Sequence, residues 1–235
     1  MEKYKYKNSR IYQTPEFVQK MRSKKISTYL PFRAIINQLE NIYDPITHQN
    51  ILKKSINSAE FALQNNKSDW FVLTTFIKNI GNILYVLDEP ENLKSISNYT
   101  FITGCAFPKQ IIYPEFNSFN NYSPNGIYKP HCGLNNTFIS YNPNEFLFQT
   151  LNNDLNKHLL PPEALYCIRY GNLYLHHRDN AYEHLIDDYD KAMLPLLQEF
   201  DKYDNCNVTI DVTNVLLKKY EILWKMFFEN YGLYF

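Results

Sequence analysis

The distribution of apolar residues predicts helices along most of the chain. Two helical patterns lie close together within residues 160–204. In the first, Ala164, Leu165 and Ile168 are separated by three or four residues, which places them on one side of a helix. In the second, the apolar positions follow at i, i+3, i+4 and i+7, and they are Met193, Leu196, Leu197 and Phe200. Pro195 lies inside the second pattern and predicts a kink.

Further helices are predicted where a start signal precedes an apolar stripe. Thr14 followed by Pro15 is a capping residue with proline in the first turn. Asn142, Pro143 and Glu145 have the spacing of a capping box. The other predicted starts are Pro31, Thr47, Asp69 and Asp211. The helix after Asp69 is apolar on most sides, which indicates a central position in the fold.

Between residues 88 and 130 the helical spacing fails, and Pro, Asn and Gly are scattered through the segment. We predict long loops here, with one short strand pair near residues 100–112. Residues 1–13 are polar and rich in Tyr and Lys, and we predict an N-terminal arm. Residues 14–235 are predicted to form one domain, because no repeat or linker divides them. The predicted fold class is therefore all-α, a single helical bundle with long loops.

The composition is that of a globular protein, since 45% of the 235 residues are hydrophobic and 16% are aromatic. The 24 basic and 24 acidic residues balance, so charge gives no reason to expect nucleic acid or an anionic membrane as a partner. No apolar run reaches the roughly 18 residues that span a bilayer, and the Lys-rich N-terminus lacks the apolar segment of a signal peptide. Cys105, Cys132, Cys167 and Cys206 have no CxxC spacing, so we expect reduced thiols and a cytoplasmic location.

Five segments carry a family resemblance. They are SAEFALQNNKSDWFVLTTFIKNIGNIL (58–84), TFITGC (100–105), YKPHCGLNNTFISYNPNEFLFQTL (128–151), LPPEALYCIRY (160–170) and AMLPLLQEFDKYD (192–204). In this order they resemble the myo-inositol oxygenase family of the HD-domain superfamily. The resemblance implies an HD-domain-like α-helical bundle that holds two irons and uses O2 to cleave the inositol ring to glucuronate.

The resemblance also implies four His and two Asp as iron ligands, because neutral imidazoles and carboxylates supply the lone pairs and negative charge that the cations require. Position by position, His131 of the PHCG segment and Asp204 of the last segment keep a ligand type. The four replaced ligand positions are Lys54, Lys78, Asn79 and Gly171. The first of these falls on Lys53 in an alternative register. The lysine that the family places against substrate is Asn82 here, and only two of six ligands remain.

These replacements remove the metal site that the resemblance implies. Glycine has no donor atom, an amide is a weaker ligand than a carboxylate, and a protonated lysine repels a cation. We therefore expect no cofactor and no catalytic residue. The alternative is a single metal, with iron as the cofactor, bound by His131, His177 and Asp204. Without a metal, His131 would be a hydrogen-bonded loop residue and Asp204 would cap a helix or form an ion pair.

Lys54 and Lys78 occupy positions that converge on the irons in the family. In one hypothesis, one or both ammonium groups replace the metal by pairing with Asp204, because a buried carboxylate without a metal requires a cation or a proton. The two lysines and Asp204 then leave one excess positive charge, which favours a small anion such as a phosphate or a carboxylate. In the alternative, both lysines extend to solvent, which is the usual preference of lysine.

Three functions are compatible with the sequence. The first is a catalytically inactive relative of the oxygenases that keeps the fold as a binding or interaction module, with a small anion or a protein as its partner. The second is an active metal-dependent oxygenase on myo-inositol or another polyol. The third is a structural protein whose pocket has filled with side chains. An open pocket around Asp204 distinguishes the first from the third, and we adopt the first.

Overall fold

Helices joined by loops make up most of the computed structural model, which describes residues 2–24, 27–44, 48–87, 100–206 and 208–235. The α-helices are α1 (Glu2–Tyr12), α2 (Pro15–Ser23), α3 (Phe32–Glu40), α4 (Ile51–Gln64), α5 (Asp69–Ile77), α6 (Pro143–Leu151), α7 (Pro162–Tyr170), α8 (Tyr174–His177), α9 (Asp188–Asp204) and α10 (Asn214–Phe227). Short 3-10 helices cover Lys78–Tyr85, Pro114–Phe119 and Leu134–Asn136. This architecture confirms the predicted all-α fold.

Capping explains why two of these helices begin where the sequence predicts. The Thr14 hydroxyl accepts a hydrogen bond from the Phe17 backbone N–H at 3.2 Å, which starts α2. The Asn142 side chain accepts from the backbone N–H groups of Asn144 and Glu145, at 2.8 and 3.2 Å, which starts α6. The predicted capping box is incomplete, because the Glu145 carboxylate binds arginine side chains instead.

Three other predicted start residues are displaced by one to three positions. The observed caps are Asn50, Ser68 and Thr213, where Thr47, Asp69 and Asp211 were expected. Thr47 lies outside the described residues. Each of these stretches contains several residues that favour caps, so the sequence pattern identifies the helix without choosing its first residue.

The N-terminal segment was predicted as an arm, but Glu2–Tyr12 is a helix and the segment is held against the domain. The Arg10 guanidinium donates to the Ile112 carbonyl at 3.0 Å. The buried Gln13 amide donates to the Tyr141 carbonyl at 3.1 Å and accepts from the Tyr141 N–H at 2.7 Å. These buried bonds satisfy backbone groups of a distant loop, which local composition could not indicate.

The described residues form two short antiparallel strand pairs. β1 (Tyr29–Pro31) pairs with β4 (Gly232–Tyr234), and β2 (Ile102–Thr103) pairs with β3 (Phe138–Ile139). The prediction of a pair within residues 100–112 is therefore half correct, because the partner strand follows much later. Residues 88–99 of the predicted loop region lie outside the described residues.

The centre of the bundle is α5 and the 3-10 helix that continues it, as the apolar sequence predicts. Phe76 of α5 stacks on Tyr220 of α10 with ring centroids 4.3 Å apart. The sequence predicted one continuous α-helix here, but the chain tightens to 3-10 geometry from Lys78. A Cβ on Gly81 would lie 1.9 Å from the Pro143 carbonyl oxygen, so glycine permits α6 to pack directly on this segment.

The longest helix, α9, continues through Pro195. In the part of the chain that the structure describes, no helix combines the length and the apolar character that crossing a membrane requires. All four cysteines are free thiols.

Candidate functional site

Lys78, the first residue of the central 3-10 helix, is buried against the C-terminal end of α9. Its ammonium donates to Oδ2 of Asp204 and to Oδ1 of Asn172, the latter at 2.9 Å. The ammonium also lies 5.7 Å from the centroid of the Phe200 ring. The ion pair proposed from the sequence between a lysine and Asp204 is therefore present for Lys78, and extension of this lysine into solvent is wrong.

Gly171, where the resemblance places a histidine, lies over the end of this lysine. A Cβ at position 171 would be 3.0 Å from Cε and 3.1 Å from Nζ of Lys78. It would also be 2.7 Å from the backbone oxygen of Cys167. The Lys78 side chain thus fills the volume that a side chain at position 171 would need, and the two replacements are sterically complementary.

The surroundings of the pair determine its charge. Burial raises the pKa of Asp204, but the ammonium groups of Lys78 and Lys54 outweigh that effect and hold the pKa below its ordinary value. Burial lowers the pKa of Lys78, and the negative charge of Asp204 opposes this shift. Asp204 is therefore a buried carboxylate at neutral pH, with the Lys78 ammonium as its direct partner.

A polar pocket lies beside the pair and is partly open to solvent. Its volume is about 180 Å³, and its lining residues are Gln49, Lys54, Asn57, Ser58, Asp204, Asn205 and Cys206. We call this the Asp204 pocket. Lys54 of α4 lines it, whereas Lys53, the alternative register, does not. Within the described ranges, the Lys54 ammonium has no hydrogen-bond or ion-pair partner.

Two residues that line the Asp204 pocket each carry a buried side-chain oxygen that has no hydrogen bond within the described residues. These oxygens are Oδ1 of Asp204 and Oγ of Ser58, and both residues are at most 2% exposed. Buried polar atoms without a partner are uncommon, because each one loses its hydration on folding without a replacement. The pocket therefore presents unused hydrogen-bonding capacity next to a cation.

A chain of buried amides extends from Lys78 and was not identified from the sequence. Asn172 accepts from Lys78 and donates to Oδ1 of Asn144 at 3.2 Å, which connects the ion pair to the first turn of α6. Asn79, another position where the resemblance implies an iron ligand, is buried and its amide nitrogen has no partner in the described part of the chain. The Asn82 amide donates to the Asn79 carbonyl at 2.9 Å. Only the clustering of asparagines in apolar segments could have indicated this network.

His131, to which the resemblance assigns an iron-ligand position, lies at the other end of α9. Its backbone N–H donates to the His184 carbonyl at 2.8 Å, and its ring Nδ1 lies 3.1 Å from the Ile186 carbonyl oxygen. Ile186 precedes α9 and Asp204 ends it, and 17 helical residues span about 25 Å. The structure therefore does not bring His131 to Asp204, because the PHCG loop packs on the start of α9.

His177 lies nearer to the pair but has a different carboxylate neighbour. Its Nε2 is 3.8 Å from Oδ2 of Asp201, which Arg178 binds through two hydrogen bonds of 2.6 and 2.7 Å. No three His, Cys, Asp or Glu side chains converge as a metal site among the residues that the structure describes. The alternative ligand set of His131, His177 and Asp204 is thus not assembled.

Comparison with known proteins gives a consistent family. The family model described as myo-inositol oxygenase matches residues 2–232. An inositol oxygenase of Bos taurus is 34% identical over 144 aligned positions, which cover 58% of this chain and 49% of the bovine protein. An inositol oxygenase of Dictyostelium discoideum is 29% identical over 246 aligned positions, which cover 96% of this chain and 83% of that protein. Inositol oxygenase 4 of Arabidopsis thaliana is 28% identical over 244 aligned positions, which cover 96% of this chain and 76% of that protein. The match thus spans about half the length of the bovine relative and most of the other two.

Proposed function

This chain belongs to the myo-inositol oxygenase family, and we propose that it keeps the family fold as a small-molecule binding module without the ring-cleaving reaction. The relatives are named inositol oxygenases, and the resemblance implies two irons, so the proposal depends on whether the residues around Asp204 fit iron. They do not fit the pair of irons that the family implies.

The observation that carries the proposal is the ammonium of Lys78 on the Asp204 carboxylate. A metal at this carboxylate would have to displace the ammonium or lie beside it. At about 4 Å, a divalent cation and an ammonium repel each other by roughly 8 kcal/mol with an effective dielectric constant of about 20. Lys78 therefore supplies the compensating charge that the carboxylate needs and opposes the binding of a cation.

The other replaced positions supply nothing that compensates for this repulsion. Gly171 has no donor atom, and Asn79 offers an amide in place of a carboxylate. Lys54 adds a second positive charge that acts on Asp204. A dinuclear centre would thus have one carboxylate that is already paired and two ammonium groups nearby.

The Asp204 pocket supports a binding module over a purely structural protein. If the former site had filled with side chains, no cavity of about 180 Å³ would remain beside the carboxylate. The pocket keeps buried polar atoms without partners, which a packed structural core avoids.

The test is an oxygenase assay on the purified chain with myo-inositol, Fe(II), a reductant and O2, followed by measurement of glucuronate. The bovine inositol oxygenase under the same conditions is the positive control, and the chain without added metal is the negative control. We expect no glucuronate above the negative control and, by elemental analysis, no stoichiometric iron. Glucuronate formation that depends on added iron would overturn the proposal.

A further inference from the structure

We propose that the Asp204 pocket binds a small hydroxylated anion, either a hydroxy carboxylate or a hydroxyalkyl phosphate. Lys54 holds the anionic group, and Oδ1 of Asp204 accepts a hydrogen bond from the neighbouring hydroxyl. This inference rests on the proposed function, because a bound metal would use the same carboxylate.

The sign of the ligand's charge follows from the charges that face the pocket. Lys78 and Asp204 neutralise each other directly. Asp201, the next carboxylate along α9, is neutralised by Arg178. Lys54 therefore leaves one positive charge without a partner in the described ranges, and the anionic group of a ligand balances it.

The hydroxyl follows from the hydrogen bonds that the pocket lacks. A carboxylate oxygen only accepts, so Oδ1 of Asp204 requires a donor from the ligand. A simple anion such as acetate cannot provide one and would be repelled by that oxygen. Oγ of Ser58 can donate or accept, so it serves either the anionic group or a hydroxyl.

The size of the pocket limits the ligand to a few carbon atoms. A volume of about 180 Å³ is well above the roughly 10–15 Å³ that one water molecule requires. Because the pocket is partly open, one end of the ligand reaches solvent, and recognition is concentrated on the charged end and its adjacent hydroxyl.

The four probes are matched to glycerate, and each of the other three differs from it in one feature. Glycerate carries a carboxylate and hydroxyls, propanoate lacks the hydroxyls, glycerol lacks the charge, and glycerol 3-phosphate replaces the carboxylate by a phosphate. Binding to the full chain is measured by calorimetry or ligand-observed NMR at low salt. We expect glycerate or glycerol 3-phosphate to bind at least about tenfold more tightly than propanoate and glycerol, because each of these loses a charge-assisted contact. The tighter of the two identifies the anionic group.

Variants on α4 test whether Lys54 and Ser58 contact the ligand. Lys54→Met should weaken the binding of the better probe at least about tenfold, and Ser58→Ala should weaken it by a smaller factor. Lys53→Met is the matched control, because it removes the adjacent charge outside the pocket, and it should leave binding unchanged. If Lys54→Met does not fold, chemical-shift changes on the parent chain with glycerate should include Ser58 and Asn205.

Several outcomes overturn the inference. They are equal binding of glycerate and propanoate, no binding of either hydroxylated anion, equal losses in the two lysine variants, and shifts that avoid the pocket. None of them bears on the oxygenase assay, so a chain that makes no glucuronate and binds no probe refutes only this inference. A chain that makes glucuronate refutes the proposed function, whatever the probes do.

Discussion

Replacing Asp204 by alanine would leave the Lys78 ammonium buried without its ion-pair partner. Both side chains are at most 2% exposed, so water cannot take the place of the carboxylate. Breaking a buried pair from one side costs about 3–5 kcal/mol of unfolding free energy. The amine can instead lose its proton, and at pH 7 this costs about 4–5 kcal/mol from an ordinary pKa of about 10.4, at about 1.36 kcal/mol per unit. The two routes give the same magnitude, and we expect a loss of about 4 kcal/mol.

Two companion variants distinguish the effect of breaking the ion pair from the effect of losing side-chain packing. Lys78→Met keeps the length of the side chain and fits under Gly171, and combined with Asp204→Ala it removes both charges. Because replacing both members of a buried pair is often nearly neutral, the double variant should be more stable than Asp204→Ala by at least about 2 kcal/mol. Asp188→Ala, at the exposed pair with Lys191, is the control and should leave the unfolding free energy nearly unchanged.

The assay is urea unfolding followed by circular dichroism and tryptophan fluorescence, with the slopes compared to confirm that the variants unfold to similar states. A cost below about 1 kcal/mol for Asp204→Ala would refute the reasoning, because that is the value for a solvated carboxylate. So would a double variant whose loss equals the sum of the single losses, since the two side chains would then not interact.

Three further predictions concern Gly171, the four replaced positions and His176. Gly171→Ala should lower the unfolding free energy by about 1–3 kcal/mol, measured in the same urea assay, because its Cβ meets Lys78 and the Cys167 carbonyl. A loss below about 0.5 kcal/mol would contradict this close packing. Metal ligands can be restored at all four replaced positions with Lys54→His, Lys78→His, Asn79→Asp and Gly171→His. Elemental analysis of this variant should show more iron than the parent, and unchanged iron in a folded variant would count against the assigned positions. Burial lowers the pKa of His176 to about 4, so between pH 6.5 and 4 the unfolded state binds a proton that the folded state does not. The contribution of His176 to the unfolding free energy should therefore be fully present above about pH 6.5. The unfolding free energy should fall by up to about 3 kcal/mol on acidification to pH 4. His176→Gln should remove that part of the pH dependence. Equal slopes of the unfolding free energy against pH in the parent and the variant would refute this prediction.

The helical spacing predicted the bundle well because burying one side of each helix is a local property of the sequence. The start of α2 follows from the equally local cap of Thr14, and the central position of α5 follows from a sequence that is apolar on most sides. The change to 3-10 geometry at Lys78 could not be predicted, because it accompanies the packing of Gly81 on Pro143, which is distant in sequence. Strands of two or three residues carry too little pattern to identify a partner.

At the site, the ion pair could be predicted in part. By the resemblance, the other ligand positions around Asp204 are replaced and its carboxylate needs another cation, and the sequence offered Lys54 and Lys78 without deciding between them. The structure gives the direct contact to Lys78 and leaves Lys54 at the pocket. His131 was misplaced because sequence similarity alone does not show which end of α9 its loop contacts.

The pairing of β1 with β4 has a consequence for the synthesis of the protein. The two strands are about 200 residues apart, and closing such a loop costs roughly 3 kcal/mol more than closing one of about ten residues. Leu233 and Phe235 are buried, and the Phe235 ring stacks on Phe146 of α6. At about 5–20 residues per second, roughly 10–40 s pass on the ribosome between the synthesis of β1 and that of β4. During that time apolar surface that β4 will cover stays open to water, so a ribosome-bound chain should be captured by chaperones until this strand emerges.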